Sequence, residues 1–394
     1  MAINKIWRDA KLRGILFQVV TIALFAFFLY YIYQNTITNM EALGVASGFD
    51  FLSQNASFDI PFTFLDYDIV TGTHGDAFII GVLNTLFVAV LGIISATFVG
   101  VFVGIMRVSQ NLIVSSLAMA FIEFMRNIPL LLHILLWYFA IWVSLPNLMT
   151  ARELSAFNLF GLDAVFIHNR GVNLPTPIFG EGSIIIGIAL ILAIVATWFV
   201  RRHGIKLHEK TGKHFPVIWV SLACLITLPL LASVATSFPI SWDFPVAGKF
   251  NMKGGGEIPG SFFALWAALS LYTGAFIAEN VRSGILSVSK GQTEAAIAVG
   301  LSPATTLRRI IIPQAMRVVI PPVTSHYLNL AKNSSLAVAI GFPEVISISV
   351  VSTLNISGQA IEVIFMTMLV YIAISLLISL VMNIYNRKIL IVER

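Results

Sequence analysis

Long apolar runs are the feature that most narrows what this chain can become. A helix needs ~20 residues to cross ~30 Å of hydrocarbon. Eight runs are candidates: 15–33, 78–105, 113–146, 183–200, 215–234, 261–285, 313–350 and 361–385. Inside a bilayer the backbone has no water to bond, so such runs predict helices. The expected fold is all-α, a polytopic transmembrane protein of about eight spans. With 58% apolar and only 11% charged residues, the chain falls outside the range of a soluble domain. The runs 113–146 and 313–350 exceed one straight span and contain prolines, which predicts a kinked or broken helix in each.

Positive residues in short loops stay on the cytoplasmic side. With the N-terminus inside, the cytoplasmic segments hold Lys5, Arg8, Lys11, Arg13, Arg107, Arg201, Arg202, Lys206, Lys210, Lys213, Arg282, Lys290, Arg308, Arg309, Arg317, Arg387, Lys388 and Arg394. The outer loops hold only Arg152, Arg170, Lys249 and Lys253, so both termini are expected in the cytoplasm. The net charge of +5 then follows from insertion and does not point to nucleic acid. The first run, preceded by MAINKIWRDAKLRG, is read as an uncleaved signal-anchor, because it is longer than a cleavable h-region and no small-residue cleavage site follows closely.

One cytoplasmic stretch, EAAIAVGLSPATTLRRIIIP at 294–313, has the form of a docking turn. Glu294, Ala295 and Ala296 are expected to start a short helix, with Gly300 its left-handed stop. Ser302 and Pro303 supply an N-cap and a first-turn proline, and a second helix should run to Pro313. The two alanines and the glycine let another protein approach the backbone, while Glu294, Arg308 and Arg309 supply charge for orientation. The spacing EAA, three residues, Gly, nine residues, Ile, one residue, Leu, Pro resembles the EAA loop of ATP-binding-cassette importer permeases. Glu294, Ala295, Ala296, Gly300, Ile310 and Pro313 fall in register, and Ile312 stands where leucine is usual.

No GxxxxGK[ST] phosphate cradle is present, since Gly212-Lys213 is followed by His214 and lacks the earlier glycine. Any ATPase must therefore be a separate polypeptide, with ATP and Mg bound there and no cofactor on this chain. The lone Cys224 sits in a span and excludes only an internal disulfide. His203, His208 and His214 are read as part of a solvated basic loop rather than a metal site.

Ionisable groups are costly within spans and mark pathways or ion pairs. Two clusters are candidates for a solute path: Arg126 and Asn127 beside Glu123, and Lys332, Asn333, Ser334 and Ser335. A zwitterionic amino acid needs an anion for its ammonium group and a cation or free N–H groups for its carboxylate. Structural pairing of Arg126 with Glu123 and of Glu279 with Arg282 is the competing account, and the two serines could simply bond across packed helices. On the outer side, segment 34–77 carries Glu41, Asp50, Asp59, Asp66, Asp68 and Asp76 without Lys or Arg. There Phe58, Ile60, Phe62 and Phe64 alternate with Asp59, Pro61 and Thr63, which suits an extended piece packed on one face. This segment is either a loop on the headgroups or a contact surface for a soluble partner.

The wider sequence FMRNIPLLL, AENVRSGILSVSKGQTEAAIAVG and LAKNSSLAVAIGFPEV resembles the histidine/glutamine class of polar amino-acid importer permeases. The spans 78–105, 113–146, 261–285, 313–350 and 361–385 follow that class's five-span order. The first span and the hairpin 183–234 look like the additions of larger permeases for general L-amino acids or for glutamate, glutamine, aspartate and asparagine. The resemblance divides the chain into an anchor and outer loop, 1–77, and a permease domain, 78–394, with a coupling loop at 288–315. It implies two ATPase subunits, a second like or identical permease, a periplasmic amino-acid-binding protein and a bacterial inner membrane. Two other classes stay open: an ion-gradient-driven transporter or channel, which would use paired broken helices and a coupling-ion site, and a membrane-embedded hydrolase, for which no nucleophile and base are visible.

Overall fold

The computed structural model describes residues 10–43, 48–148, 157–159, 162–212, 215–248 and 251–389. Of the residues named above, Lys5, Arg8, Arg152, Lys213, His214, Lys249 and Arg394 lie outside them. Two compact units form, Met1–Leu130 with Leu269–Arg394, and Leu131–Ala268.

The first unit is helical. Helix α1, Ala10–Leu43, is apolar on every side and runs ten residues past the expected span end at 33. From Gly48 the described chain makes a short 3-10 turn, Asp50–Ser53, and runs irregularly to Thr73, where a reciprocal capping box starts α2, His74–Arg107: the Thr73 hydroxyl accepts from the Asp76 N–H and Asp76 accepts from the Thr73 N–H. The expected alternation is present in the extended piece. Ile60 and Phe62 are buried while Asp59 and Pro61 face out, and Ile60 packs with Ala56, Ala77, Ile80 and Ile348. It breaks at Phe64, which is 52% exposed although its ring meets Phe62 and Phe87 edge-on. Segment 54–73 therefore rests on the helical body.

Along α2 one side is lined by Gly81, Gly92, Ala96, Gly100 and Gly104, all buried. A Cβ at Gly100 would lie 2.5 Å from the Ile277 side chain and one at Gly104 2.7 Å from Val281. Both partners belong to α7, Gly260–Leu286. This is small-residue packing, in which bare backbone lets two helices approach where lipid offers no hydrophobic drive to bring them together.

The run 113–146 is broken, as its length predicted. Helix α3, Leu112–Asn127, ends at an extended Ile128 ahead of Pro129, and α4, Leu130–Leu135, continues as a wider-turn helix over Leu136–Trp142. The run 313–350 is broken too, and of its prolines only Pro343 lies at the break. Pro321 and Pro322 lie inside α10, Ile312–Asn333, without ending it. The change comes at the tight turns of Ser334–Ile340, where the Ser334 and Ser335 hydroxyls donate to the carbonyls three residues earlier, Ala331 and Lys332, at 2.8 Å each. Such local bonds compete with the helical ladder. Gly341 then takes a left-handed conformation, φ 68°, before a wide-turn helix, Ser347–Thr353, and α11, Leu354–Ser357. Helix α12, Ala360–Ile389, ends the described chain.

In all, six described helices are long and apolar enough to cross a membrane, and α3 with α4 makes a broken seventh candidate. With the broken run 312–357 the chain is the helical polytopic protein expected, with about eight spans.

The second unit adds β-structure that apolar-run analysis passed over as outer loops. Strands β1 (Phe157–Leu159), β2 (Leu162–Ile167), β3 (Gly171–Leu174) and β8 (Gly256–Pro259) form an antiparallel sheet in the order β1-β2-β3-β8. Strand β4 (Thr176–Phe179) pairs with β5 (Ile240–Asp243), and β6 (Val246–Ala247) with β7 (Met252–Lys253). Between β4 and β5 stands the hairpin expected at 183–234, α5 (Ser183–Thr211) and α6 (Val217–Ala235), with Pro229 accommodated inside α6. Near its turn His203 packs edge-on against Phe215.

Candidate functional site

The turn between α7 and α10 has well-defined geometry. Helix α8 spans Lys290–Ala298 behind Ser289, so Glu294 lies mid-helix and not at its start as expected. The serine three residues after the end of α7 is the start signal that the alanine pair obscured. At the far end the Leu301 N–H donates to the Ala296 carbonyl at 3.0 Å and the Gly300 N–H to Ile297 at 2.9 Å, the paired bonds of a Schellman stop. Gly300 sits at φ 78° with nothing within 4 Å of a notional Cβ, so the glycine is required for its backbone angle and not for space.

The Ser302 hydroxyl accepts from the Thr305 N–H at 3.4 Å and opens α9, Pro303–Thr306, with proline in its first turn. The second arm does not stop at Pro313. It passes through a wide turn at Leu307–Ile311 straight into α10, and that wider turn just ahead of Pro313 absorbs the loss of its N–H. Gln314 bridges the two arms, donating to Gln292 at 3.3 Å and to the Ile310 carbonyl at 3.1 Å. Ala296 is buried beneath the turn, while Glu294, Ala295 and Gly300 are exposed and Ile297 and Val299 are 64% and 74% open. Ile310 and Ile312 are half-buried and Pro313 is exposed.

Of the polar candidates in the spans, Arg126 ends α3 with its guanidinium 5.1 Å from the centre of the Phe276 ring, a cation–π contact. Phe276 in turn meets His326 of α10 at 5.5 Å. The Glu123–Arg126 pair of the competing account is absent among the described residues. Glu123 instead accepts from Asn127 at 3.0 Å, four residues on along the same face. The Glu279–Arg282 pair does form, at 2.5 Å.

Lys332 is exposed in a shallow groove with Leu328, Tyr371, Ile372 and Ser375, and Asn333 is half-buried. Ser334 is fully buried, and both serine hydroxyls are committed to backbone carbonyls. His326 and Lys332 are six positions apart on α10, about 9 Å of helical rise. The two candidate clusters thus lie on different helices, Arg126 and Asn127 on α3 and Lys332 and Asn333 on α10, and His326, through Phe276, links α10 to Arg126.

Sequence reasoning missed a buried polar network in the first unit. Asn84 is fully buried and donates to the Phe62 carbonyl at 2.9 Å and the Pro343 carbonyl at 2.8 Å, which fastens segment 54–73 and the turn after Gly341 to α2. The Val345 N–H donates to Thr85 at 3.0 Å. Glu344, also fully buried, accepts from the Ser347 N–H at 2.8 Å and from the Tyr371 hydroxyl at 3.0 Å, capping the following helix and tying it to α12. Glu362 accepts from the Gly48 N–H at 2.7 Å. A signal was available: an asparagine and a carboxylate inside apolar runs must find partners. Outside the spans, Tyr67 donates to the Phe58 carbonyl at 3.0 Å, and burial, with Asp59 and Asp76 nearby, raises its pKa above the usual phenol value.

Comparison with known proteins places this architecture. Residues 212–390 match the family described as the binding-protein-dependent transport system inner membrane component. The chain is 43% identical to the general L-amino acid transport system permease protein AapQ of Rhizobium johnstonii, over 98% of this chain and 94% of that one. It is 45% identical to the putative amino-acid ABC transporter permease protein YhdX of Escherichia coli, over 98% and 96%. It is 39% identical to the glutamate/glutamine/aspartate/asparagine transport system permease protein BztB of Rhodobacter capsulatus, again over 98% and 96%. At such identity over nearly the whole chain, this inner-membrane protein belongs to the family of amino-acid ABC transporter permeases.

Proposed function

We propose that the chain forms the translocation path of an ATP-driven importer for polar L-amino acids, and that a separate ATPase drives it through residues 288–315. The observation that carries this reading is the capped turn at Ala296–Ser302, which leaves Glu294, Ala295, Ile297 and Val299 uncovered between two long helices. Exposed apolar side chains around small residues on a rigid turn suit insertion into a protein groove.

Force applied at the turn has a route into the membrane. From Pro303 to Asn333 the chain is helical without interruption, and α10 alone spans about 33 Å. The same rod carries His326, against the Phe276 ring that Arg126 covers, and Lys332. Movement of the coupling turn would shift both polar stations together, the requirement for alternating access around a bound solute.

In this reading Arg126 and Lys332 meet substrate carboxylates, with Asn127, Asn333, Ser334 and Ser335 along the path. Glu294, Ala295, Ala296, Gly300, Ile310, Ile312 and Pro313 form the coupling element. The partners are two ATPase subunits holding ATP and Mg, a second permease, identical or similar, and a periplasmic binding protein that delivers the amino acid. Both termini face the cytoplasm, in line with the basic loops. Residues 1–77 act as an anchor and outer segment, and 78–394 as the transport domain.

The test is co-purification from the native membrane, wild type beside Gly300→Val, since a β-branched residue is strained at φ 78°. Wild type should bring down an ATPase, and the variant, inserted to the same level, should lose it or its stimulation. Wild type emerging without any nucleotide-binding partner contradicts the proposal.

A further inference from the structure

The second unit contains an amphipathic ribbon that the transport reading does not use. In the β4–β5 pair the register is Thr176↔Asp243, Pro177↔Trp242, Ile178↔Ser241 and Phe179↔Ile240. Side chains of directly paired residues share a face, and successive pairs alternate. One face therefore carries Pro177, Phe179, Ile240 and Trp242, and the other Thr176, Ile178, Ser241 and Asp243.

The second face is engaged at its Thr176/Asp243 end, while Ile178 and Ser241 are exposed. Asp243 accepts from the Gly255 N–H at 2.9 Å, and Gly256 lies so close to Thr176 that an added Cβ would sit 2.6 Å from its methyl. On the apolar face Ile240 is half-buried, and Phe179 and Trp242 are open, 68% and 57% exposed. A two-stranded ribbon with a bare apolar face needs another surface to cover it.

The position of the ribbon identifies that surface. The pairing continues past Phe179 as a Gly180 N–H to Pro239 carbonyl bond of 2.8 Å, right up to the ends of α5 and α6. Helix α6, 19 residues or about 28 Å long, matches the ~30 Å hydrocarbon core, so Ala235 lies at a membrane boundary. The other end of the hairpin carries Arg201, Arg202, Lys206 and Lys210, which fixes the apolar part toward Ser183 and Ala235. Phe179 stands four residues before Ser183 and Phe238 three beyond Ala235, within about 14 Å of extended chain.

Phe238 is 63% exposed, and it and Ser237 both adopt φ 56°, a left-handed pair without glycine that swings the chain off the α6 axis as it leaves the helix. Of the exposed aromatics, Trp242 is of the type that favours the headgroup region, and the two phenylalanines suit its apolar side.

We propose that the apolar face of the β4–β5 ribbon, together with Phe238, is a lipid-binding surface lying in the headgroup region of the leaflet at the Ser183/Ala235 end of the hairpin. The ribbon thus fixes the depth and tilt of α5 and α6 and lays the strands along the bilayer instead of upright in water.

The test uses the full chain in vesicles of phosphatidylethanolamine and phosphatidylglycerol, on a Cys224→Ser background that removes the single native thiol. Nitroxide labels are placed one at a time by Trp242→Cys, Ser241→Cys, Phe179→Cys and Ile178→Cys. Ile226→Cys in mid-α6 and Lys253→Cys serve as lipid and water references. Collision with oxygen and with a water-soluble nickel chelate reads the depth of each label.

At 242 and 179 the chelate should collide several-fold less often than at 253 while oxygen access stays high, with 241 and 178 near the water value. Chelate access at 242 and 179 equal to that at 253 overturns the proposal. So does exclusion of both reagents, which would mean that a second copy of the chain covers the face, and so does the absence of alternation between neighbouring positions. The two strands give independent readings, so a poorly inserted variant on one leaves the other decisive.

Discussion

Helices α6 and α7 are both apolar enough to cross a bilayer, yet none of the most apolar window of α6 is buried in the protein while 67% of that of α7 is. The less apolar of the two is the one inside. In a membrane the solvent is as apolar as the core, so hydropathy marks what enters the bilayer and says little about what packs within it. The glycines and alanines along α2 and their close partners on α7 carry that second piece of information.

The comparison can be broken most sharply at Gly104. Gly104→Leu forces a branched side chain into Val281 and the Ala278 carbonyl, and should cost roughly 3 kcal/mol through overpacking. Thermal unfolding of the detergent-purified chain, followed by circular dichroism, checks it. A variant as stable as wild type would mean that the stripe is not a packing surface.

Asn84→Leu comes next, at about 2 kcal/mol, because it orphans the buried carbonyls of Phe62 and Pro343. Its sharper readout is limited proteolysis, in which cleavage within 54–73 should speed up relative to the hairpin turn. Gly300→Val should cost only about 1–2 kcal/mol at its left-handed position but abolish coupling, so stability and ATPase stimulation measured on one preparation should separate. The smallest effect belongs to the exposed hairpin. Gly187 has nothing within 4 Å of a notional Cβ, so Gly187→Leu should stay within about 0.5 kcal/mol of wild type. A large loss there would show that α5 packs against protein and not lipid.

Much of this was legible in the sequence, for physical reasons that differ by region. The spans were readable because bilayer thickness sets their length, and the left-handed Gly300 and the Ser302–Pro303 cap because those residues have few other uses. The start of α8 was misplaced because the Ala295–Ala296 pair resembles a first turn, whereas Ser289 is the boundary. Of the prolines expected to break the run 313–350, Pro321 and Pro322 sit inside the helix and Pro343 lies at the break, which begins where serine hydroxyls bond to the backbone. The buried network of Asn84, Glu344 and Tyr371 joins residues up to 260 positions apart, and its pairing depends on tertiary geometry that no local pattern encodes. The strands of the second unit escaped because each is short, and two of the pairings, β3 with β8 and β4 with β5, reach across the inserted hairpin.

The most direct measurement of the central claim is amino-acid uptake into proteoliposomes containing this chain and the proteins that co-purify with it. The amino-acid-binding protein and labelled substrate are supplied on one side and ATP on the other. The account predicts uptake that requires ATP, is unaffected by collapsing proton and sodium gradients, and is lost in Gly300→Val. Uptake that follows an ion gradient without nucleotide would contradict it and make this chain a secondary transporter.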